Sequence, residues 1–240
     1  MQLDFSAREL TLKLVYYGPA LSGKTTNLQS LHTVASPDST GRLMTLETRD
    51  DRTLFFDLLP LSFQGKNGLS VRIKVFTVPG QVIHASTRRL VLQGADGVAF
   101  IADSRVAEAD TNAESFRDLR ENLKQNGLNI KQMPLVIQFN KRDLPGGRPT
   151  AEIEEQALQG REPVYLAVAT RLEGVVDTFI GLLHLTWQTL EVRHEFSKKL
   201  GLESSAFFSE VLAKLGQKGT LREILASRVG GALPMQQVKP

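Results

Sequence analysis

Short apolar runs alternate along the chain with stretches whose apolar residues recur at helical spacing, which predicts an α/β fold built on a parallel sheet. Leu10 to Tyr17 reads as a strand and Thr25 to Val34 as the helix after it. A polar, turn-rich segment follows, from Ser36 to Gly41. Two further runs, Leu54 to Leu61 and Leu69 to Phe76, are joined through Gly65-Lys66-Asn67-Gly68. The second alternates apolar with polar or charged residues, so one of its faces is buried. Asn67-Gly68 is a hairpin signal, so the two runs should pair antiparallel. Pro60 puts the first of them at the sheet edge. An antiparallel edge strand on an otherwise parallel sheet is a common arrangement.

Further strands are predicted at Val98 to Ala102, Leu135 to Phe139 and Val164 to Val168, with helices at Asn112 to Gln125 and Ala151 to Leu158. A long helix from Val175 to about Phe196 closes the domain. Beyond it, Phe207, Val211, Leu212 and Leu215 fall at helical spacing, as do Leu221, Ile224 and Leu225. Gly216-Gln217-Lys218-Gly219 separates the two groups, and Thr220 with Glu223 makes a capping box. The chain thus divides into a main domain, residues 1–195, and a helical extension, residues 196–240, docked on that domain or on a partner. Gly230-Gly231 onward reads as a loose end.

Composition narrows this little. The 240 residues include no cysteine, which excludes disulfides and thiolate chemistry and suits a cytoplasmic setting. No apolar run approaches the length of a membrane span, the N-terminus lacks a basic-then-apolar signal, and Gln237-Val238-Lys239-Pro240 is no prenylation signal. No direct membrane anchor is expected, and Lys198-Lys199 is too few charges for a polybasic site. The net charge of +3 is spread without a dense Lys/Arg block, so no nucleic acid is expected as partner. His32, His184 and His194 lie on helices without ligand-spaced acidic or second-histidine partners, and His84 sits in the loop after Gly80.

Chemistry enters at Gly18-Pro19-Ala20-Leu21-Ser22-Gly23-Lys24-Thr25, which fits G-x-x-x-x-G-K-[ST] between a strand and a helix. Gly18 and Gly23 permit a tight turn whose N–H groups face a β-phosphate. Lys24 reaches the β- and γ-phosphates, Thr25 offers a hydroxyl to Mg²⁺, and Thr26 follows at the positive end of the helix. A second motif, Asn140-Lys141-Arg142-Asp143, opens at the C-terminal end of a buried strand, where open α/β sheets bind ligands. The Asp143 carboxylate can accept from guanine N1–H and N2–H₂ together, a donor pair adenine lacks. Asn140 can read guanine O6/N7 or tie this loop to the phosphate loop, and the Lys141 stem can cover the base. Ala169 and Thr170, after the last strand, can supply a backbone N–H to O6.

With these elements the chain resembles the Ras-like small GTPases, which are P-loop NTPases, and within them the bacterial MglA group of mutual gliding proteins. The resemblance spans residues 5–193. It rests on Tyr16-Tyr17-Gly18-Pro19, Lys24-Thr25-Thr26-Asn27-Leu28, Asp51-Arg52-Thr53-Leu54-Phe55-Phe56-Asp57, Thr77-Val78-Pro79-Gly80-Gln81 and Asn140-Lys141-Arg142-Asp143-Leu144-Pro145. Most small GTPases begin the fourth motif with an Asp that contacts Mg²⁺ through water; the MglA group carries Thr, here Thr77.

The resemblance implies a small G-domain, GTP/GDP as ligand with Mg²⁺, and slow GTP hydrolysis. It matches Gln81 to the water-orienting glutamine and Gly80 to the amide that senses the γ-phosphate. It likewise matches Thr53 to the threonine completing the Mg²⁺ shell and Arg52 to an arginine finger supplied in cis. It implies a roadblock-fold MglB-like activator, a downstream effector, recruitment to a cell pole, and a role in polarity or surface motility. It also implies that the hairpin Leu54 to Phe76 slides on GTP binding; an even register shift keeps every side chain on its face. Two features depart from the group: Val82-Ile83-His84-Ala85-Ser86 replaces an aromatic-rich segment, and the chain continues past residue 195. The extension leaves a second possibility, a non-hydrolysing GTP-dependent scaffold that localises partners. An ATP-using enzyme is a third, against which Asn140 and Asp143 argue.

Overall fold

A computed structural model of the chain describes residues 1–46, 56–64, 68–80 and 85–229. Its centre is β2 (Glu9–Tyr17), which runs parallel to β5 (Ser70–Thr77) on one side and to β6 (Gly97–Asp103) on the other. β7 (Leu135–Asn140) and β8 (Val164–Leu166) continue the parallel sheet. All seven positions of β6 are buried, as a strand covered by helices on both faces requires. β1 (Gln2–Asp4) pairs antiparallel with the start of β2.

Beyond β5 the sheet turns antiparallel. β4 (Phe56–Gln64) pairs with it antiparallel, as predicted, from Leu58 opposite Phe76 to Gln64 opposite Ser70. Leu59, Leu61 and Phe63 are buried opposite Val75, Ile73 and Val71. β4 is not the edge, however. β3 (Met44–Leu46) lies outside it, pairing with Phe56, Asp57 and Leu58. The Pro60 reading is right about the side and wrong about the strand. The Pro60 carbonyl accepts from Gly41 N–H at 2.9 Å, so its missing N–H falls on the outer side, which faces the short β3 and residues 39–41 rather than β5.

Two helical layers sandwich the sheet. On one face, α1 (Lys24–Val34) and α5 (Val175–His194) cover Leu10, Leu12, Leu14, Leu61 and Ile73. On the other, α2 (Ala85–Leu92) and α3 (Ala109–Gln125) cover Val15, Tyr17, Val98 and Phe100. α4 (Thr150–Gln159) packs Ile153 and Ala157 beside Val164. α5 stops at His194 because Glu195 takes a left-handed conformation, φ 54°.

The chain then returns to the first face. α6 (Phe196–Leu200), α7 (Ser204–Lys214) and α8 (Leu221–Ala226) follow, and Phe196, Phe207, Phe208, Val211, Leu212 and Leu215 join the same apolar core as β4 and α5. Phe207 stacks on Trp187 of α5, centroids 4.3 Å apart. Thr220 and Glu223 form both bonds of the capping box. Val229 N–H donates to the Val164 carbonyl at 2.8 Å, so the last described residue covers the edge of β8. Among the described residues no helix is long and apolar enough to cross a membrane.

Candidate nucleotide site

Residues 18–25 join the C-terminal end of β2 to α1. Gly18 (φ 146°) and Gly23 (φ 97°) sit in the positive-φ region, and a Cβ would strike the Ile101 carbonyl at the first and the Asn140 side chain at the second. Between them Pro19 and Ser22 are buried, Ala20 is exposed, and Leu21 is left-handed (φ 60°) and open to solvent. α1 begins at Lys24 with Gly23 as its N-cap, so its positive end faces the loop. Lys24 is 7 % exposed, and its Nζ donates to the carbonyls of Gly18 (2.9 Å) and Pro19 (2.6 Å). Burial, with Arg88 as a lesser neighbour, pulls its ammonium down to about 7. An anion reaching this loop would reverse that. Thr26 is half-buried on the first turn.

The second motif meets the first through Asn140. Its Nδ2 donates to the Ser22 carbonyl at 2.9 Å and its Oδ1 accepts from Ala169 N–H at 3.0 Å. Of the two roles open to Asn140, the structure places it in the tie between loops. Lys141 is left-handed (φ 64°), and its Nζ donates to Asp103 Oδ2 at 2.6 Å. Burial opposes ionisation of Asp103, but hydrogen bonds from Arg105 and Lys141 outweigh it and hold the carboxyl at about 2. Asp143 lies at the open surface, with Arg171 Nη2 3.7 Å from Oδ2. Thr170 is exposed beside the buried Ala169.

The third element is a carboxylate that the sequence reading quoted without a role. Asp57, 6 % exposed near the start of β4, accepts from Thr25 Oγ1 at 2.6 Å, from Thr77 Oγ1 at 3.0 Å and from Thr45 Oγ1 at 2.9 Å. Its own N–H donates to Thr77 Oγ1 at 2.8 Å. Thr77, which the resemblance matches to a position where most small GTPases carry Asp, thus hydrogen-bonds a carboxylate from the neighbouring strand. Hard oxygen donors of this kind, one carboxylate with hydroxyls, suit Mg²⁺, which takes its remaining positions from water and phosphate. A cavity of about 350 Å³ opens here, lined by Leu21, Lys24, Thr25, Asp57, Thr77 and Gly80 among others. Gly80 lies so close to the phosphate loop that a Cβ on it would strike the Ala20 backbone. A larger cavity, about 670 Å³, lies beside Arg117, Arg120, Lys124 and Lys131 and touches none of these loops.

Arg52, Thr53 and Gln81 lie outside the described residues, as do His84 and the turn residues 65–67. Sequence reading also missed the buried bracket behind the site. Asn27 and Gln138 exchange hydrogen bonds at 3.0 and 2.9 Å, Gln138 donates to Thr178 at 2.7 Å, and Asn27 donates to the Gly23 carbonyl. The signal available was one amide inside the apolar run Leu135 to Phe139.

A mostly parallel sheet with an antiparallel edge and a glycine loop leading into α1 together define a small G-domain. No protein-family model matches the chain. It is 43% identical over 189 residues to the mutual gliding-motility protein MglA of Myxococcus xanthus (strain DK1622), a match covering 79% of this chain and 97% of that protein. The chain belongs to the MglA group of Ras-like small GTPases.

Proposed function

We propose that the chain binds GDP and GTP with Mg²⁺, hydrolyses GTP slowly, and serves as a molecular switch in bacterial polarity or surface motility. The observation that carries this reading is the Asn140 bridge, which locks the phosphate loop to the loops bearing Asp143 and Ala169. One nucleotide can then meet Lys24 with its phosphates and Asp143 with its base. Gly18 to Thr26 and Gly80 contact the phosphates; Asn140, Lys141, Asp143, Ala169 and Thr170 surround guanine. Thr25 and Thr53 are the proposed Mg²⁺ ligands, with Asp57 behind Thr25 supplying the carboxylate that Thr77 lacks. Bound Mg²⁺ would neutralise charge on the β- and γ-phosphate oxygens.

In hydrolysis a water oxygen bonds to the γ-phosphorus while the bond to the β–γ bridging oxygen breaks, giving GDP and phosphate. Gln81 orients that water. Arg52, a planar fork, spans oxygens that gain charge, which Lys could not do bidentately. Residues 1–195 form the GTPase unit, ending where Glu195 breaks α5, and 196–240 the extension.

Single-turnover hydrolysis with and without a roadblock-fold MglB-like activator tests the reading. GTP should be consumed faster with the activator, and Gln81→Leu should abolish turnover while leaving GTP bound. Binding without hydrolysis in either condition would instead favour the scaffold.

A further inference from the structure

We propose that Glu210 of α7 is a positioning residue for the nucleotide site: it fixes the register of β4, and β4 carries Asp57. This rests on the nucleotide and Mg²⁺ reading above. Along the outer side of β4, polar groups point outward at every second residue. The Pro60 carbonyl accepts from Gly41 N–H at 2.9 Å, and Ser62 N–H donates to the Ser39 carbonyl at 2.8 Å. The next outward donor, Gln64 N–H, meets the Glu210 carboxylate at 2.8 Å. The helix therefore takes over the outer row of hydrogen bonds from the 39–41 segment.

The same helix holds the rest of that row. Ser36 N–H donates to the Lys214 carbonyl at 2.8 Å, and Lys214 pairs with Asp38. On the inner face Phe63 sits edge-on to Phe207, centroids 6.1 Å apart at 87°. One end of β4 is thus gripped by α7 while the other presents Asp57 to Thr25.

A strand transmits axial position because its residues rise about 3.3 Å each. Shifting β4 by two residues, the smallest step that keeps Leu59, Leu61 and Phe63 inside, would carry Gln64 N–H about 7 Å from Glu210. It would carry Asp57 the same distance from Thr25. Glu210 and Thr25 therefore select the same register from opposite ends.

The test uses the full chain as wild type, Glu210→Ala and Glu210→Gln. Hydrogen exchange of peptides over 56–64 is followed in nucleotide-free protein, and retention of fluorescent GDP is followed against Mg²⁺ concentration. Glu210→Ala should exchange faster in β4, with α3 unchanged, and should need about tenfold more Mg²⁺ for half-maximal retention, the effect of one charge-assisted hydrogen bond. Glu210→Gln keeps an oxygen acceptor but not the charge, so it should bring both readings about halfway back, to within about threefold to fourfold of wild type. Wild-type exchange and Mg²⁺ dependence in Glu210→Ala, or no rescue by Glu210→Gln, would overturn the proposal. A wild type that retains no GDP would count against the nucleotide reading instead, and the exchange comparison would still decide whether Glu210 holds β4.

Discussion

Thr25 and Asp57 lie 32 residues apart in the chain, and the hydroxyl of the first donates to the carboxylate of the second at 2.6 Å. One lies in the first turn of the helix behind the phosphate loop and the other sits on an antiparallel strand near the sheet edge. The contact joins the helix behind the proposed phosphate loop to the strand expected to slide. It also sets a buried carboxylate beside Thr77.

Asp57→Asn keeps the shape of the side chain and removes its charge. Retention of fluorescent GDP should then require about 10–100-fold more Mg²⁺, the usual effect of losing a group that orients a metal ligand. Retention without Mg²⁺ should be unchanged. An unaltered Mg²⁺ titration would show that Asp57 has no part in the metal site.

If Lys24 meets the phosphates as proposed, nucleotide affinity should depend on pH. In the nucleotide-free protein burial, aided by Arg88, lowers its ammonium to about 7, while phosphate charge would raise it again. Above that pH the free protein is neutral at Lys24 and the bound form charged, so binding takes up a proton. Affinity should be flat below about pH 7 and fall by up to about tenfold per unit above it. The unfolded chain binds this proton up to its ordinary value of 10.5, so the nucleotide-free fold gains stability as pH rises through that window. Calorimetry at pH 8.5 in buffers of differing ionisation enthalpy should show about one proton taken up. Lys24→Met should show none.

The extension is expected to be part of the core. Phe207 is buried between Trp187 and Phe63. Phe207→Ala should cost about 3–5 kcal/mol, which for a chain of this length lowers Tm by roughly 6–20 °C. Trp187, the single tryptophan, reports the same event through a red-shifted emission. An unchanged Tm and spectrum would mean that α7 is not docked on α5 in solution.

If β4 slides on GTP binding, it should slide by an even number of residues. Leu59, Leu61 and Phe63 alternate with exposed or half-buried neighbours, and a one-residue slip would turn all three outward and expose their apolar surface. Structures with GDP and a GTP analogue decide this; a single-residue shift would contradict it.

Much of this arrangement was legible in local sequence. The β4–β5 pairing, the central strands and the α8 cap follow from turn residues, apolar alternation and Thr220 with Glu223, all signals carried within a few positions. What was missed depends on distant partners. β3 is three residues long and exists only because Met44 to Leu46 find Phe56 to Leu58. α2 carries buried Thr87 and Arg88 on its inner side, which blurs its apolar stripe. Asp57 stands inside an apolar run, and nothing local says that its strand end meets Thr25. Asp103 and Gln138 are similar: each is a polar residue at a strand position whose use is set by a side chain on another element.

Guanine selectivity tests the central claim most directly. Displacement of fluorescent GDP from the wild type should succeed with GTP and GDP and fail with ATP at micromolar concentration in Mg²⁺ buffer. Asp143→Asn replaces one acceptor by an NH₂ donor, which mismatches guanine N2–H₂ and matches the xanthine C2 carbonyl, so its preference should move to xanthosine nucleotides. Equal displacement by ATP, or an Asp143→Asn variant that still prefers GDP, would contradict it.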